Sequence, residues 1–146
     1  MKKQEIFSAN PSIMLVIAFF MFCVTNALVV LLIATFFPDQ IVLGTLHISR
    51  TWAIIHSVSS LALVQTFLPP FIRHYEIKKN ITLSIKKWFN IYLVINTISL
   101  WVIGRLADQL GLGLASWRIV LALAIILSVV QKCSINKLKK YLSNQK

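Results

Sequence analysis

The sequence is poor in charged residues, and poorest in acidic ones. Only 13% of its 146 residues are charged, and only four are aspartate or glutamate. An ordinary soluble domain carries about one quarter charged residues. The four acids are far apart in the sequence, so no two carboxylates are placed for shared general acid–base chemistry. The composition therefore argues against a soluble fold and against a carboxylate-based enzyme.

Cysteine, histidine and glycine are also scarce. The two cysteines, Cys23 and Cys133, give no disulfide framework, and the three histidines, His47, His56 and His74, add no metal-ligand spacing. The sequence contains no glycine-rich phosphate loop and no nucleophile elbow. We therefore expect no metal, no cofactor and no catalytic residue, and predict that the protein is not an enzyme.

Long uncharged apolar runs dominate instead. Hydrophobic residues make up 58% of the chain, and a bilayer-spanning helix needs about 20 of them in succession. The prolines Pro69 and Pro70 are expected to end the second run. We predict an all-α fold, an integral membrane four-helix bundle in a single domain over residues 1–146. The helices are expected at about 12–37, 51–72, 86–105 and 114–132, with a basic loop at 73–87 and a basic tail at 133–146.

The basic residues are distributed unevenly around these runs. Of the 15 lysines and arginines, only Arg50, Arg105 and Arg118 fall on the side opposite the termini. This positive-inside bias predicts a multi-pass protein of the bacterial inner membrane with both termini in the cytoplasm. Basic residues beside a membrane attract anionic lipid, so the net charge does not indicate a nucleic-acid partner. The residues expected to face lipid headgroups are Lys78, Lys79, Lys86, Lys87, Lys137, Lys139 and Lys140.

The two halves of the chain resemble each other. The stretches VTNALVVLLIATFFPDQIVLG (24–44) and VINTISLWVIGRLADQLGLG (94–113) each place an asparagine in an apolar run and end in Asp-Gln followed by Leu-Gly. The returning helices carry LALVQ (61–65) and LSVVQ (127–131). Two hairpins that run in the same sense predict a parallel repeat, with a pseudo-twofold axis along the membrane normal.

Polar side chains inside the runs are the candidate functional residues. Asn26 and Asn96 are expected at matched depth, where they can satisfy each other, line a polar path or face a second copy; we favour mutual packing. Gln65 and His56 are the other polar candidates within a span, and His56 is either a packing residue or part of a proton or ion path.

The outer turns carry charges that could pair. Arg118 lies near the start of the fourth run, and Asp39 and Asp108 lie in the two turns. Ion pairs among these three residues would tie the turns together. The alternative is that Arg118 extends to the membrane interface.

The segments TNALVVLLIATFFPDQI, INTISLW and GLASWRIVLALAI resemble the four-helix phage-holin-like family of small bacterial membrane proteins, holin superfamily IV, over roughly Asn26 to Gln131. The resemblance implies a small non-enzymatic inner-membrane protein that self-associates and permeabilises the membrane. One alternative is a small channel or transporter subunit with a polar path near Asn26, Asn96 and His56. Another is an accessory or scaffold subunit that binds anionic lipid or a larger complex.

Overall fold

The computed structural model describes residues 11–81 and 83–144, without the side chains at positions 11, 14, 73, 85 and 134–144. The described chain is mostly helical, which confirms the all-α prediction. Its elements are α1 (Pro11–Phe36), β1 (Ile41–Leu43), α2 (Arg50–Lys79), α3 (Ile85–Arg105), α4 (Ala107–Leu110), β2 (Leu112–Leu114) and α5 (Trp117–Asn144).

The four long helices pack side by side with α1 and α3 at opposite corners. Helix α1 contacts α2 and α5, and α3 contacts the same two helices. The most extensive contacts lie within the hairpins, α1 with α2 and α3 with α5. Each long helix therefore has two neighbours and one diagonal partner that it does not pack against.

A short antiparallel ribbon joins the two hairpins at one end of the molecule. Val42 of β1 pairs with Gly113 of β2 at its centre. Beyond the strands, the Ala115 N–H donates to the Gln40 carbonyl at 3.0 Å and the Gly44 N–H donates to the Gly111 carbonyl at 2.7 Å. These two bonds exchange under a twofold rotation about the central pair, so the ribbon contains the pseudo-twofold axis. We call this the ribbon end, and the opposite end, with the α2–α3 connection, the turn end.

The ribbon aligns the two halves of the repeat differently from the sequence motifs. By sequence motif Gln40 matches Gln109, whereas in the ladder its counterpart is Gly111. The displacement arises because the single turn of α4 follows α3, and no such helix follows α1. Sequence analysis predicted neither strand, since three-residue strands carry almost no periodic signal.

Helix α2 is longer than predicted. It does not stop at Pro69 and Pro70 but continues to Lys79, so the expected loop at 73–87 shrinks to residues 80–84. A proline inside a helix removes one backbone hydrogen bond, and here burial of Ile72 beyond the two prolines offsets that loss. The helix ends at Asn80, whose left-handed backbone (φ 50°, ψ 42°) directs its N–H to the carbonyls of Glu76 and Ile77.

The bounds of α1 and α3 agree with prediction to within one residue at all four ends, whereas those of α5 differ. Helix α5 begins at Trp117 rather than 114, because residues 112–114 form β2. It then runs unbroken to Asn144, past the predicted end at 132. The predicted tail is therefore a continuation of α5 over its described length, and residues 1–10 with their lysines lie outside the described residues.

The outer surface of the helices is largely apolar. Among the described residues, two helical segments are long and apolar enough to cross a membrane, Leu15–Phe36 and Arg50–Lys79. The buried core lies between the helices and beneath the ribbon, where Leu61, Leu100 and Leu123 are fully enclosed.

Candidate functional site

Four polar carboxamides lie buried at the centre of the helix assembly. Asn26, Gln65 and Asn96 have no exposed surface, and Gln131 is 1% exposed. Each of the four long helices contributes one of these carboxamides. Helical spacing turns them inward: Asn26 follows Phe22 by four residues and precedes Val30 by four, on the buried stripe of α1.

The four carboxamides form a closed ring of hydrogen bonds. Asn26 Nδ2 donates to Gln65 Oε1 at 2.8 Å, and Gln65 Nε2 donates to Asn96 Oδ1 at 2.9 Å. Asn96 Nδ2 donates to Gln131 Oε1 at 3.1 Å, and Gln131 Nε2 returns to Asn26 Oδ1 at 3.2 Å. Every amide thus donates to the next helix and accepts from the previous one. We call this set the amide ring.

The amide ring corrects the expected direct pairing of the two asparagines. Asn26 and Asn96 lie on α1 and α3, at opposite corners, and form no bond with each other. Gln65 and Gln131 connect them from α2 and α5. Glutamine has one more methylene than asparagine, so its amide extends further from the helix. Each of the two glutamines bonds to both asparagines and so links the diagonal helices.

Ser128 adds a fifth polar group to one side of the ring. Its Oγ accepts from Asn96 Nδ2 at 2.9 Å and donates to the Ala124 carbonyl at 2.7 Å. Because the hydroxyl gives its proton to Ala124, only the nitrogen side of the Asn96 amide can face it. The matching position in LALVQ is Ala62, so the first hairpin lacks this bond.

The nitrogens and oxygens of the amide ring all find partners within the chain. Among the described residues, every buried side-chain nitrogen and oxygen has a hydrogen-bond partner. Neutral carboxamides carry no charge, and a satisfied ring strengthens contact between helices without offering a nucleophile or base. The geometry therefore suits helix registration, whereas a polar path would need unpaired groups along the axis.

Other predicted intramembrane and turn residues lie away from the ring. His56 is exposed on the outside of α2, with its ring 5.6 Å from that of Trp52. Asp39, Asp108 and Arg118 are exposed at the ribbon end, and no ion pair joins them in the described part of the chain.

The predicted lysines divide into two groups. Lys78 and Lys79 end α2, and Lys86 and Lys87 begin α3, so these four exposed residues cluster at the turn end. The side chains of Lys137, Lys139 and Lys140 lie outside the described residues.

Sequence analysis selected three of the four ring members and missed Gln131, together with Ser128. The signal was present in LSVVQ, which repeats the LALVQ that ends in Gln65. Gln131 directly precedes Lys132 and was therefore placed at the boundary of a span, not at its centre.

Comparison with known proteins finds no matching family model, curated protein or solved structure. The phage-holin-like resemblance therefore stays a prediction from the sequence.

Proposed function

We propose that this chain is a non-enzymatic, multi-pass protein of the bacterial inner membrane, in which all four long helices span the bilayer as a closed bundle. The observation that carries this proposal is the apolar exterior: large apolar side chains cover the outside of the helices, while four amides lie buried among the apolar side chains of the centre. A helix that is apolar around most of its surface belongs in a large core or in lipid.

The outward faces of α3 and α5 support spanning by these helices as well. Helix α3 has 21 residues, a length of about 30 Å that matches the hydrocarbon core of a bilayer. Apolar side chains on the two helices are at least two-fifths exposed: Val94, Ile98, Trp101, Val102, Trp117, Ile125, Ile126 and Val129.

Charge at the two ends supports an orientation with the turn end in the cytoplasm. Lys78, Lys79, Lys86 and Lys87 gather at the turn end, whereas the ribbon end has arginines only at the helix termini. Lys132 lies at the depth of the ring, and its Nζ is 5.7 Å from the Phe89 ring centroid. Phe89 lies towards the turn end, so this contact fits a lysine that extends towards the cytoplasmic surface.

Within this location, we favour the accessory or scaffold function over the channel and holin-like alternatives. The amide ring uses its carboxamides inside one chain, which supports a packing role for them over a role in joining copies or conducting an ion. The surfaces left for interaction are the apolar exterior and the lysines of the turn end, which suit anionic lipid of the inner leaflet or a larger membrane complex.

Cysteine labelling tests location and orientation. In a Cys23→Ser/Cys133→Ser background, Leu46→Cys marks the ribbon end and Lys79→Cys marks the turn end; both positions are exposed. A membrane-impermeant maleimide should label Leu46→Cys in intact spheroplasts and Lys79→Cys only in inside-out vesicles. Labelling of both in spheroplasts, or release of the protein by alkaline carbonate, would overturn the proposal.

A leakage assay separates the scaffold from the pore-forming alternatives. Liposomes loaded with a small fluorescent dye should retain it when they contain the wild-type protein, because the carboxamides of the ring bond to one another across the centre of the bundle. Release above that of protein-free liposomes would favour a channel or holin-like function.

A further inference from the structure

An open cleft lies between α3 and α5 at the ribbon end. It has a volume of about 480 Å³, and β2 forms part of its wall. Trp101 and Trp117 line it and are more than half exposed, and Arg105 supplies a guanidinium group. Gly104 and Ala115 also line the cleft, and their lack of a large side chain leaves space there. The cleft therefore combines two aromatic faces, one positive charge and an apolar floor.

Arg105 is oriented by an aromatic contact and not by an acid. Its guanidinium carbon is 5.4 Å from the centroid of the Trp101 ring, within the range of a cation–π interaction. No carboxylate pairs with it among the described residues. Contact with the face of an aromatic ring leaves the edge of the guanidinium available, and that edge matches the oxygens of a phosphate.

The first hairpin differs in sequence at the positions that match this cleft. The positions that match Trp101 and Arg105 at the same distance from the ring asparagine are Leu31 and Thr35. Ser116 and Ser49 each directly precede a helix, but α5 begins with Trp117 where α2 begins with Arg50. Closure of the fold therefore does not require this combination of residues, because the pseudo-symmetric partner closes without it.

We propose that the cleft binds one anionic phospholipid of the outer leaflet, with the headgroup phosphate on Arg105 and the glycerol and upper acyl region between Trp101 and Trp117. The inference rests on the proposed membrane location. The tryptophans would lie at the depth that aromatic side chains favour in a bilayer. The unpaired charge of Arg105 and the apolar floor of Leu114 and Val120 match the two ends of such a lipid.

Lipid retention tests the assignment. Protein released from nanodiscs of mixed phosphatidylglycerol and phosphatidylcholine would be analysed by native mass spectrometry. The wild type should retain one phosphatidylglycerol, and Arg105→Gln should weaken retention about tenfold, since it removes a charge-assisted contact. Arg50→Gln is the matched control, because it removes the same charge at the same end and outside the cleft. Trp117→Leu, which keeps every charge, should also weaken retention.

Three outcomes would overturn the proposal. Equal losses in Arg105→Gln and Arg50→Gln would show a general charge effect, and no loss in Arg105→Gln would exclude its role. Displacement of the lipid by glycerol 3-phosphate at low millimolar concentration would identify a soluble anion as the occupant. The cysteine-labelling pattern is recorded for each variant, so a failure of membrane insertion is distinguished from a failure of the lipid site.

Discussion

Asn96 donates a hydrogen bond to Ser128 at 2.9 Å, and the first hairpin has no such bond because Ala62 replaces the serine. The Ser128 hydroxyl donates to the Ala124 carbonyl, so it fixes which side of the Asn96 amide carries nitrogen. Each amide of the ring then sets the orientation of the next. One hydroxyl on α5 thereby selects the direction in which all four carboxamides point.

Replacing Ser128 with alanine should lower the free energy of unfolding by about 1 kcal/mol, because one buried hydrogen bond to Asn96 is lost. Ser60→Ala is the control, since the Ser60 hydroxyl donates only to the His56 carbonyl of its own helix. Unfolding in mixed micelles followed by circular dichroism measures both. A loss in Ser128→Ala no larger than in Ser60→Ala would contradict the role of Ser128.

The two asparagines should differ in their contribution to stability. Asn26 takes part in two interhelical bonds and Asn96 in three. At about 1 kcal/mol for each interhelical bond, Asn26→Leu should cost roughly 2 kcal/mol and Asn96→Leu roughly 3 kcal/mol. The same unfolding assay ranks them, and a reversed order would contradict the connectivity of the ring.

Removing the whole ring should be less harmful than removing one member. Replacing Asn26 and Asn96 with leucine and Gln65 and Gln131 with methionine leaves no amide without a partner. Orphaned buried groups carry most of the cost of a broken network, whereas apolar replacement of both partners is nearly neutral. The quadruple variant should unfold at a higher denaturant concentration than Asn96→Leu alone; a lower one would show that the ring stabilises by more than mutual satisfaction.

Gly111→Ala should destabilise the ribbon end. Gly111 has a φ of +80°, which L side chains rarely adopt, and a Cβ there would clash with Ala53 of α2. Gly113→Ala is the matched control, because a Cβ at Gly113 would lie 3.5 Å from the Val42 Cβ, an ordinary contact. The melting temperature should fall by several degrees in Gly111→Ala and little in Gly113→Ala. Equal melting temperatures would contradict the close approach of α2.

The α2–α3 connection should depend on the Glu76 carboxylate. Glu76 Oε1 accepts from the Leu83 N–H at 2.7 Å, across the turn that Asn80 begins. Glu76→Ala removes this acceptor, so backbone amides at residues 80–84 should exchange hydrogen faster, as followed by mass spectrometry. Glu76→Gln keeps an oxygen acceptor and should exchange more slowly than Glu76→Ala. Unchanged exchange in Glu76→Ala would show that the Asn80 cap holds the turn alone.

The long uncharged apolar runs predicted the existence and type of the long helices, because apolar length leaves a strong local signal. The helix that passes Pro69 and Pro70 could not be predicted, since the compensating burial of Ile72 is a tertiary effect. The strands were missed for a similar reason: Val42 and Gly113 belong to different hairpins, so their pairing leaves no local signal in the sequence.

Three of the four amides of the candidate site were predicted, and their connectivity was not. Matched motifs identified Asn26 and Asn96, and the repeat of LALVQ as LSVVQ contained both glutamines. Sequence alone does not show which helices are diagonal. That single fact of packing decides whether two asparagines meet or need glutamines between them.

The pairing of Val42 with Gly113 joins two hairpins that are close to being separate chains. Both the ribbon and the amide ring link one hairpin to the other, and the chain between the hairpins is only the turn at residues 80–84. Two polypeptides cut within that turn would keep every bond of the ladder and the ring as contacts between separate molecules. Each half would then recognise the other through these bonds, and fragments synthesised apart should complement each other when inserted into the same bilayer.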